Sequence, residues 1–157
     1  MVKKYLLIFL VSMVPLVELR GSIIMAVGMD LNYLVSLVIC VIGNMLPVPF
    51  IYFFARKVLV WGADKKYIGK FFRFCLEKGE HGGQKLTHAA GRGGLFVALM
   101  LFVGIPLPGT GAWTGTLAAS FLNMGIKSTV LSVSLGVIIA GVIMGLASTG
   151  VFSVLGF

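Results

Sequence analysis

Acidic residues are almost missing from this chain: only Glu18, Asp30, Asp64, Glu77 and Glu80 stand against 13 lysines and arginines. Any carboxylate pair that carries chemistry must come from that short set. Charge of either sign is scarce, at 11% of residues, while 59% are apolar and the mean hydropathy is +1.05. A soluble domain needs far more polar surface, so these numbers exclude one and point to an integral membrane protein. Cysteine is limited to Cys40, in an apolar run, and Cys75, in a basic one. No disulfide framework can be built from them, and the redox compartment is not readable. Within the apolar runs there is no nucleophile–base pair and no cluster of metal ligands, which argues against an intramembrane enzyme, a metal or a cofactor. His81 and His88 lie seven residues apart in a polar segment, where solvated side chains are the expectation.

What is present is a set of apolar runs: Tyr5 to Val17, Ile23 to Met29, Tyr33 to Ala55, Gly93 to Ile126 and Ser128 to Phe157. A helix needs about 20 residues to cross the hydrocarbon core. Tyr33 to Ala55 fits one crossing, and Ser128 to Phe157 fits one crossing plus a tail. Met1 to Val17 resembles a signal peptide in its charge and apolarity but offers no small-x-small cleavage site, so it is read as part of the domain. The charge-free run from Gly93 to Ile126 is too long for one crossing and too short for two, and it holds Pro106, Pro108, Gly109 and Gly111 near its middle. Two half-helices that dip in and return, with PLPGTG at the tip, account for it. Such irregular backbone survives at membrane depth only where protein or a water-filled cavity satisfies it. The alternative is a kinked ordinary helix ending at the outer surface.

The first part of the chain follows a similar plan, with an apolar half reaching Pro15 and a second apolar piece before the span from Tyr33. Pro15-Leu16 lines up with Pro106-Leu107. We therefore expect a single all-α membrane domain of two inverted repeats, residues 1–55 and 93–157, each a re-entrant helical hairpin plus one transmembrane helix. Between them, residues 56–92 carry nine Lys or Arg and three acids, a net +6. The positive-inside rule makes that connector cytoplasmic, so its basic character calls for no nucleic-acid partner. KKYIGKFFRFCLEK reads as an amphipathic helix in the interface, and the glycine-rich KGEHGGQKLTHAAGRGG after it as a flexible connection. The placement is a multi-pass protein of the plasma membrane, in contact with membrane lipids.

Glu18 and Arg20 are the only charges between Lys4 and Asp30. Mid-membrane charges must face the interior, yet residues two apart on a helix do not face each other. Either the backbone is broken near Pro15 to Gly21 or each charge has its own distant partner. One reading makes Glu18 a proton- or cation-holding group and Arg20 an anion-holding one. The other makes them a structural ion pair pinning the tip. In the second repeat, Thr110 is the expected N-cap of a half-helix from Ala112 to Leu122, with Gly109 and Gly111 letting its N–H groups approach a ligand. Such a helix start favours anions. Trp113 either packs on a ligand or fills core. Small residues at Ser132, Gly136 and Ala140, and at Gly141 and Gly145, allow close helix approach, in a homodimer or within the chain. A chain of this size would struggle to enclose a pathway alone, which favours the homodimer.

PLVELRGSI, GNMLPVP and IPLPGTGAWTGTLAA resemble the small multidrug export protein family, which is similar at a distance to the DedA and VTT-domain membrane proteins. The resemblance covers nearly the whole chain. It implies two re-entrant segments meeting in the membrane and, for some DedA relatives, proton-coupled movement of lipids such as polyprenyl phosphates. The matching positions here are Glu18, Arg20, Gly21, Asn44, Pro47, Pro106, Pro108, Gly109, Thr110, Gly111 and Trp113. Two departures stand out: Ser22-Ile23-Ile24 replaces an expected proline, and Thr110 follows Gly109 where DedA members carry an acid. The expected function is transport of a small amphipathic or anionic substrate through a midplane site, with Glu18 titrating, Arg20 and the Gly109 to Ala112 amides holding the anion, and Asn44 lining the site. The rivals are a lipid or polyprenyl-phosphate flippase and a non-transporting membrane scaffold.

Overall fold

The computed structural model describes residues 2–15, 17–65, 69–107 and 110–154. All regular structure among them is helical: α1 (Val2–Ser12), α2 (Glu18–Gly28), α3 (Tyr33–Met45), α4 (Val48–Ala63), α5 (Gly69–Gly104), α6 (Ala112–Phe121) and α7 (Ile126–Val154). Two stretches are long and apolar enough to cross a membrane, Tyr33–Ala63, which joins α3 to α4, and Ile126–Ser148 in α7. The join at Leu46 and Pro47 keeps helical backbone angles. There Pro47 and Pro49 withhold the amides that the carbonyls one turn earlier would accept, which bends rather than ends the helix. Phe50, Phe54, Leu34, Val38, Leu131 and Leu146 all stand on the outside of these helices. An apolar exterior of that extent needs lipid or protein against it.

The interior is built from small and polar residues. Ser12, Ser22, Ser36, Asn44, Thr116, Thr129 and Ser132 are buried alongside Ile8, Leu19, Ile23, Val103, Val133 and Val137. Helices packed in lipid gain nothing from burying apolar side chains as such, so close backbone approach and polar contacts hold them together. Glycines of α7 provide that approach inside the chain. Gly136 faces the Met100 carbonyl and Val103 of α5, Gly141 faces Leu37 and Leu19, and Gly145 lies against the Tyr33 ring. A Cβ on Gly136 would come within 2.7 Å of both the Met100 oxygen and the Val103 Cβ. Gly136→Val is therefore expected to cost about 1–3 kcal/mol through overpacking, seen as a lower melting midpoint in detergent. Gly150→Val, with no atom near its side-chain position, is the matched control.

The two halves repeat one local design. α1 turns after Ser12 into α2, and the arm of α5 from Gly91 to Gly104 turns into α6. Both α2 and α6 stop with the same device, a residue in the left-handed region (Asp30, Asn123) followed by an amide that bonds back to the last turn. These bonds are Leu31 to Ala26 at 3.0 Å and Met124 to Ala119 at 3.0 Å. The long helices then start at Tyr33 and Ile126. Ala26 and Ala119, Asp30 and Asn123, Leu31 and Met124, Tyr33 and Ile126 share one offset, which pairs Pro15 with Pro108 in sequence rather than with Pro106.

Between the halves the structure departs from the expected flexible connection. Helix α5 continues through the glycine-rich segment and breaks only at Gly91, with φ at 69°. The reason is local composition: Glu77, Lys78, Glu80, Gln84, Lys85, Leu86, Ala89 and Ala90 are helix formers that offset the cost of interspersed glycines. Lys66, Tyr67 and Ile68, part of the expected interfacial helix, lie outside the described residues. The connector is anchored to α4, where Arg73 Nε donates to the Ala63 carbonyl at 2.9 Å and Lys65 stacks over Trp61 at 4.4 Å. His81 and His88 are both exposed.

Candidate functional site

The site lies where the turn of each helical arm meets the other. An interrupted helix leaves amides free at its new start and carbonyls free at its old end, and in an apolar setting each such group costs several kcal/mol if unmet. α6 starts at Ala112 after the extended Gly111, and the arm of α5 ends at Gly104. Glycine offers no side chain to cap α6. The capping oxygen comes instead from Glu18, whose Oε1 accepts from the Trp113 amide at 3.2 Å while the Ala112 amide lies close to the carboxylate. A carboxylate at a helix start is favourable both as acceptor and as charge.

Arg20 serves the other broken end. Its guanidinium donates to the Leu107 carbonyl, to the Ile105 carbonyl at 3.3 Å, to the Val103 carbonyl at 3.5 Å and to Thr110 Oγ1 at 3.0 Å. The planar fork with several donors suits a fan of carbonyls that a lysine could not reach together. Glu18 and Arg20 thus act as separate partners for the two ends of one interruption. Their own backbone permits this because α2 begins at Glu18, directly after the turn, with φ at 50°. A left-handed conformation at a non-glycine residue is a small local strain that the contacts on α6 hold in place.

Thr110, expected to be the N-cap of α6, has a different role. Its hydroxyl lies 2.9 Å from both the Ile105 and Leu107 carbonyls, on the α5 side of the turn. The cap residue is Gly111, whose amide donates to Thr114 Oγ1 at 2.9 Å. Gly111 is needed for space: a Cβ there would overlap both carboxylate oxygens of Glu18. Thr114 escaped the sequence reading, although its place three residues after the cap is the signal by which it could have been found.

Beside these contacts opens a cavity of about 470 Å³, lined by Pro15, Val17, Glu18, Arg20, Pro106, Thr110, Thr114 and, from α7, Met144. On the inner side of Glu18 a second, much smaller pocket of about 10 Å³ is walled by Asn44, Arg20, Gly111, Ala112, Val137 and Ala140. Asn44, 2% exposed, therefore lies behind Glu18 rather than in the open cavity. Trp113 contributes its amide, while its indole Nε1 is buried with no partner among the described residues. Pro108 and Gly109 lie outside the described residues. Among the described residues no group of three His, Cys, Asp or Glu is placed to hold a metal.

In chemical terms the junction holds an internal anion, Glu18, in the place where the sequence led us to expect a bound one. An outside anion can use the α6 amides only if Glu18 leaves them. The family model described as "Putative small multi-drug export protein" matches residues 18–143, from the Glu18 junction to the middle of α7. No curated protein and no solved structure matches the chain.

Proposed function

The chain belongs to the small multi-drug export protein family, and on that premise we propose that it is a multi-pass transporter of the plasma membrane in which two re-entrant hairpins, related as inverted repeats, meet around a midplane site. The observation that carries this reading is the exchange of caps between the arms: Glu18 on the start of α6 and Arg20 on the carbonyls before it. Helix lengths support it. α1, α2 and α6 have 11, 11 and 10 residues, which is roughly 16 Å each and half of what a crossing requires.

Transport follows from a competition. The cavity is of the size that takes a small molecule, and among the described residues its charged linings are Glu18 and Arg20. Protonation of Glu18 removes its charge from the α6 start, and the freed amides together with Arg20 then hold the anionic group of an amphipathic substrate. When Glu18 releases its proton it takes the amides back and the substrate leaves. Substrate and proton are coupled because both act on one helix end. No bond of the substrate is changed.

A second reading, translocation of a lipid phosphate such as a polyprenyl phosphate, is favoured by the rim. Val14, Val17, Ile105 and Leu107 are exposed around the turns, so an acyl or prenyl tail can remain in lipid while the headgroup occupies the cavity. The test is the melting midpoint of the purified protein with a polyprenyl phosphate, a short alkyl phosphate, or a lipophilic cation. Stabilisation by both phosphates supports the anion site, and stabilisation by the prenyl compound alone selects the lipid reading. Stabilisation by the cation alone would sink the anion argument. The topology has its own prediction: a cysteine at Lys3, in a Cys40→Ser, Cys75→Ser background, is labelled by an impermeant maleimide from outside the cell. Labelling only after permeabilisation would replace the first hairpin with a full crossing.

A further inference from the structure

The buried face of α3 carries polar groups that the junction does not use. Ser36, Cys40 and Asn44 follow one another at single-turn spacing and are 0%, 0% and 2% exposed. Among the described residues, Ser36 Oγ and Asn44 Oδ1 have no hydrogen-bond partner. Two unmet acceptors on one face of one helix are uncommon, because each costs about 1–3 kcal/mol unless water or an ion answers it. They are also connected. α2 runs against α3 in opposite direction, with Glu18 and Asn44 sharing the small pocket and Ser22 close to Cys40, whose thiol lies 4.0 Å from the Ile8 carbonyl. Extended by one turn, that register sets Ala26 opposite Ser36, next to the loop in which Asp30 and Asn32 are exposed. Ser22 also donates to the backbone carbonyl of Glu18 at 2.8 Å.

The second half provides an internal comparison. By the offset that relates the halves, Ser36, Cys40 and Asn44 correspond to Thr129, Val133 and Val137. Thr129 is satisfied by the Gly125 carbonyl at 3.1 Å, and Val133 and Val137 are buried and apolar. The polar face of α3 thus has an apolar counterpart at the Cys40 and Asn44 positions of α7. The pocket at its inner end, about 10 Å³, is close to the smallest space that holds a single water.

We propose that Ser36, Cys40, Ser22 and Asn44 hold a row of ordered waters that joins the Glu18 carboxylate to the end of the molecule where α3 begins. Its use as a proton route rests on the transporter reading above. The row gives Glu18 contact with water on one side, while the substrate cavity lies on its other side. The groups that face Glu18 from the packed elements are Arg20 on α2, Asn44 on α3, the Ala112 and Trp113 amides on α6 and the apolar Val137 and Ala140 on α7. Cys40, one turn from Asn44, marks the middle of the row.

The thiol makes the row measurable without any flux. Nanodisc-embedded protein carrying Cys75→Ser is exposed to silver ions in chloride-free buffer, then unfolded, and the remaining free thiol is counted with a maleimide dye. A silver ion needs a wet path of about one water's width. Cys40 should be blocked at least about tenfold faster than Val133→Cys in a Cys40→Ser, Cys75→Ser background, since both side chains are buried to the same degree and differ only in access to water. Ser36→Leu should slow Cys40 by about tenfold, whereas Ser36→Ala, which keeps the space, should not. Equal rates for Cys40 and Val133→Cys overturn the row even if Ser36→Leu proves too unstable to purify. An unchanged rate in a folded Ser36→Leu protein overturns it as well. The pattern without transport leaves the row standing and removes the transporter reading; transport without the pattern does the opposite.

Discussion

Arg20→Ala is expected to lose about 3 kcal/mol of stability, because it leaves several carbonyls before the turn without a donor in a setting that offers few others. The loss should exceed that of any other single surface or junction substitution in the first arm. Leu107, Ile105 and Val103 all turn a carbonyl to the guanidinium, and Thr110 adds its hydroxyl. A cavity-lining arginine with no structural duty would instead be replaced at little cost, with only ligand binding affected. Arg20→Lys separates charge from geometry: it retains the positive charge but not the fork, so it should recover less than half of the loss. Thermal or denaturant unfolding in one detergent, compared across the three proteins, gives the answer. Full recovery by lysine would show that charge alone matters and that the carbonyl fan is incidental.

For Glu18 the expected results split between stability and function. Glu18→Gln keeps an oxygen for the Trp113 amide and the shape of the side chain, so it should unfold within about 1 kcal/mol of the parent. Glu18→Ala removes the cap of α6 altogether and should cost about 2 kcal/mol. Transport should be lost in both, by at least about tenfold, since neither can exchange a proton at the α6 start. Whatever flux Glu18→Gln retains should no longer vary with pH. A scaffold would show the opposite split, with stability lost in Glu18→Gln and flux unaffected. Gly111→Ala gives a third view of the same contact. Its methyl group occupies the place of the Glu18 carboxylate, so it should mimic Glu18→Ala in stability while leaving the carboxylate itself intact.

These experiments touch residues whose importance was legible early and whose roles were not. Glu18 and Arg20 stand out in any reading of the chain, being isolated charges in an apolar stretch, and the breakers from Pro106 to Gly111 announce an interruption. What the one-dimensional pattern could not supply was the pairing between them. Thr110 has the chemistry of an N-cap and the right position, yet Gly111 takes the place because the Glu18 carboxylate, 95 residues before Trp113, supplies the oxygen. Local rules for helix starts consider only neighbours along the chain. The same limit explains the connector: its glycines read as a loop, but the helix formers among them carry α5 to Gly91.

The small residues of α7 show the same division from another side. Their spacing declared that something approaches closely, and it left open whether that was a second copy or the chain itself. Met100, Val103, Leu37, Leu19 and Tyr33 fill those places from within. Ser36, Cys40 and Asn44 looked unconnected in sequence, where Cys40 and Asn44 drew notice separately and Ser36 not at all. Burial on one helical face, opposite an apolar counterpart in the other half, is what makes them a set.

Composition and hydropathy by themselves pointed to a helical membrane protein with long apolar helices, a basic segment between its apolar runs, and a few polar residues too costly to be there by chance. They suffice because the transfer of charge and backbone into hydrocarbon is so unfavourable that it constrains every residue independently. The exchange of caps between the arms, the second pocket behind Glu18 and the polar and apolar buried faces of α3 and α7 were decided only in three dimensions. Each depends on groups far apart in the chain meeting at short range, and a hydrogen bond a few ångströms long leaves no trace in the order of the residues that make it.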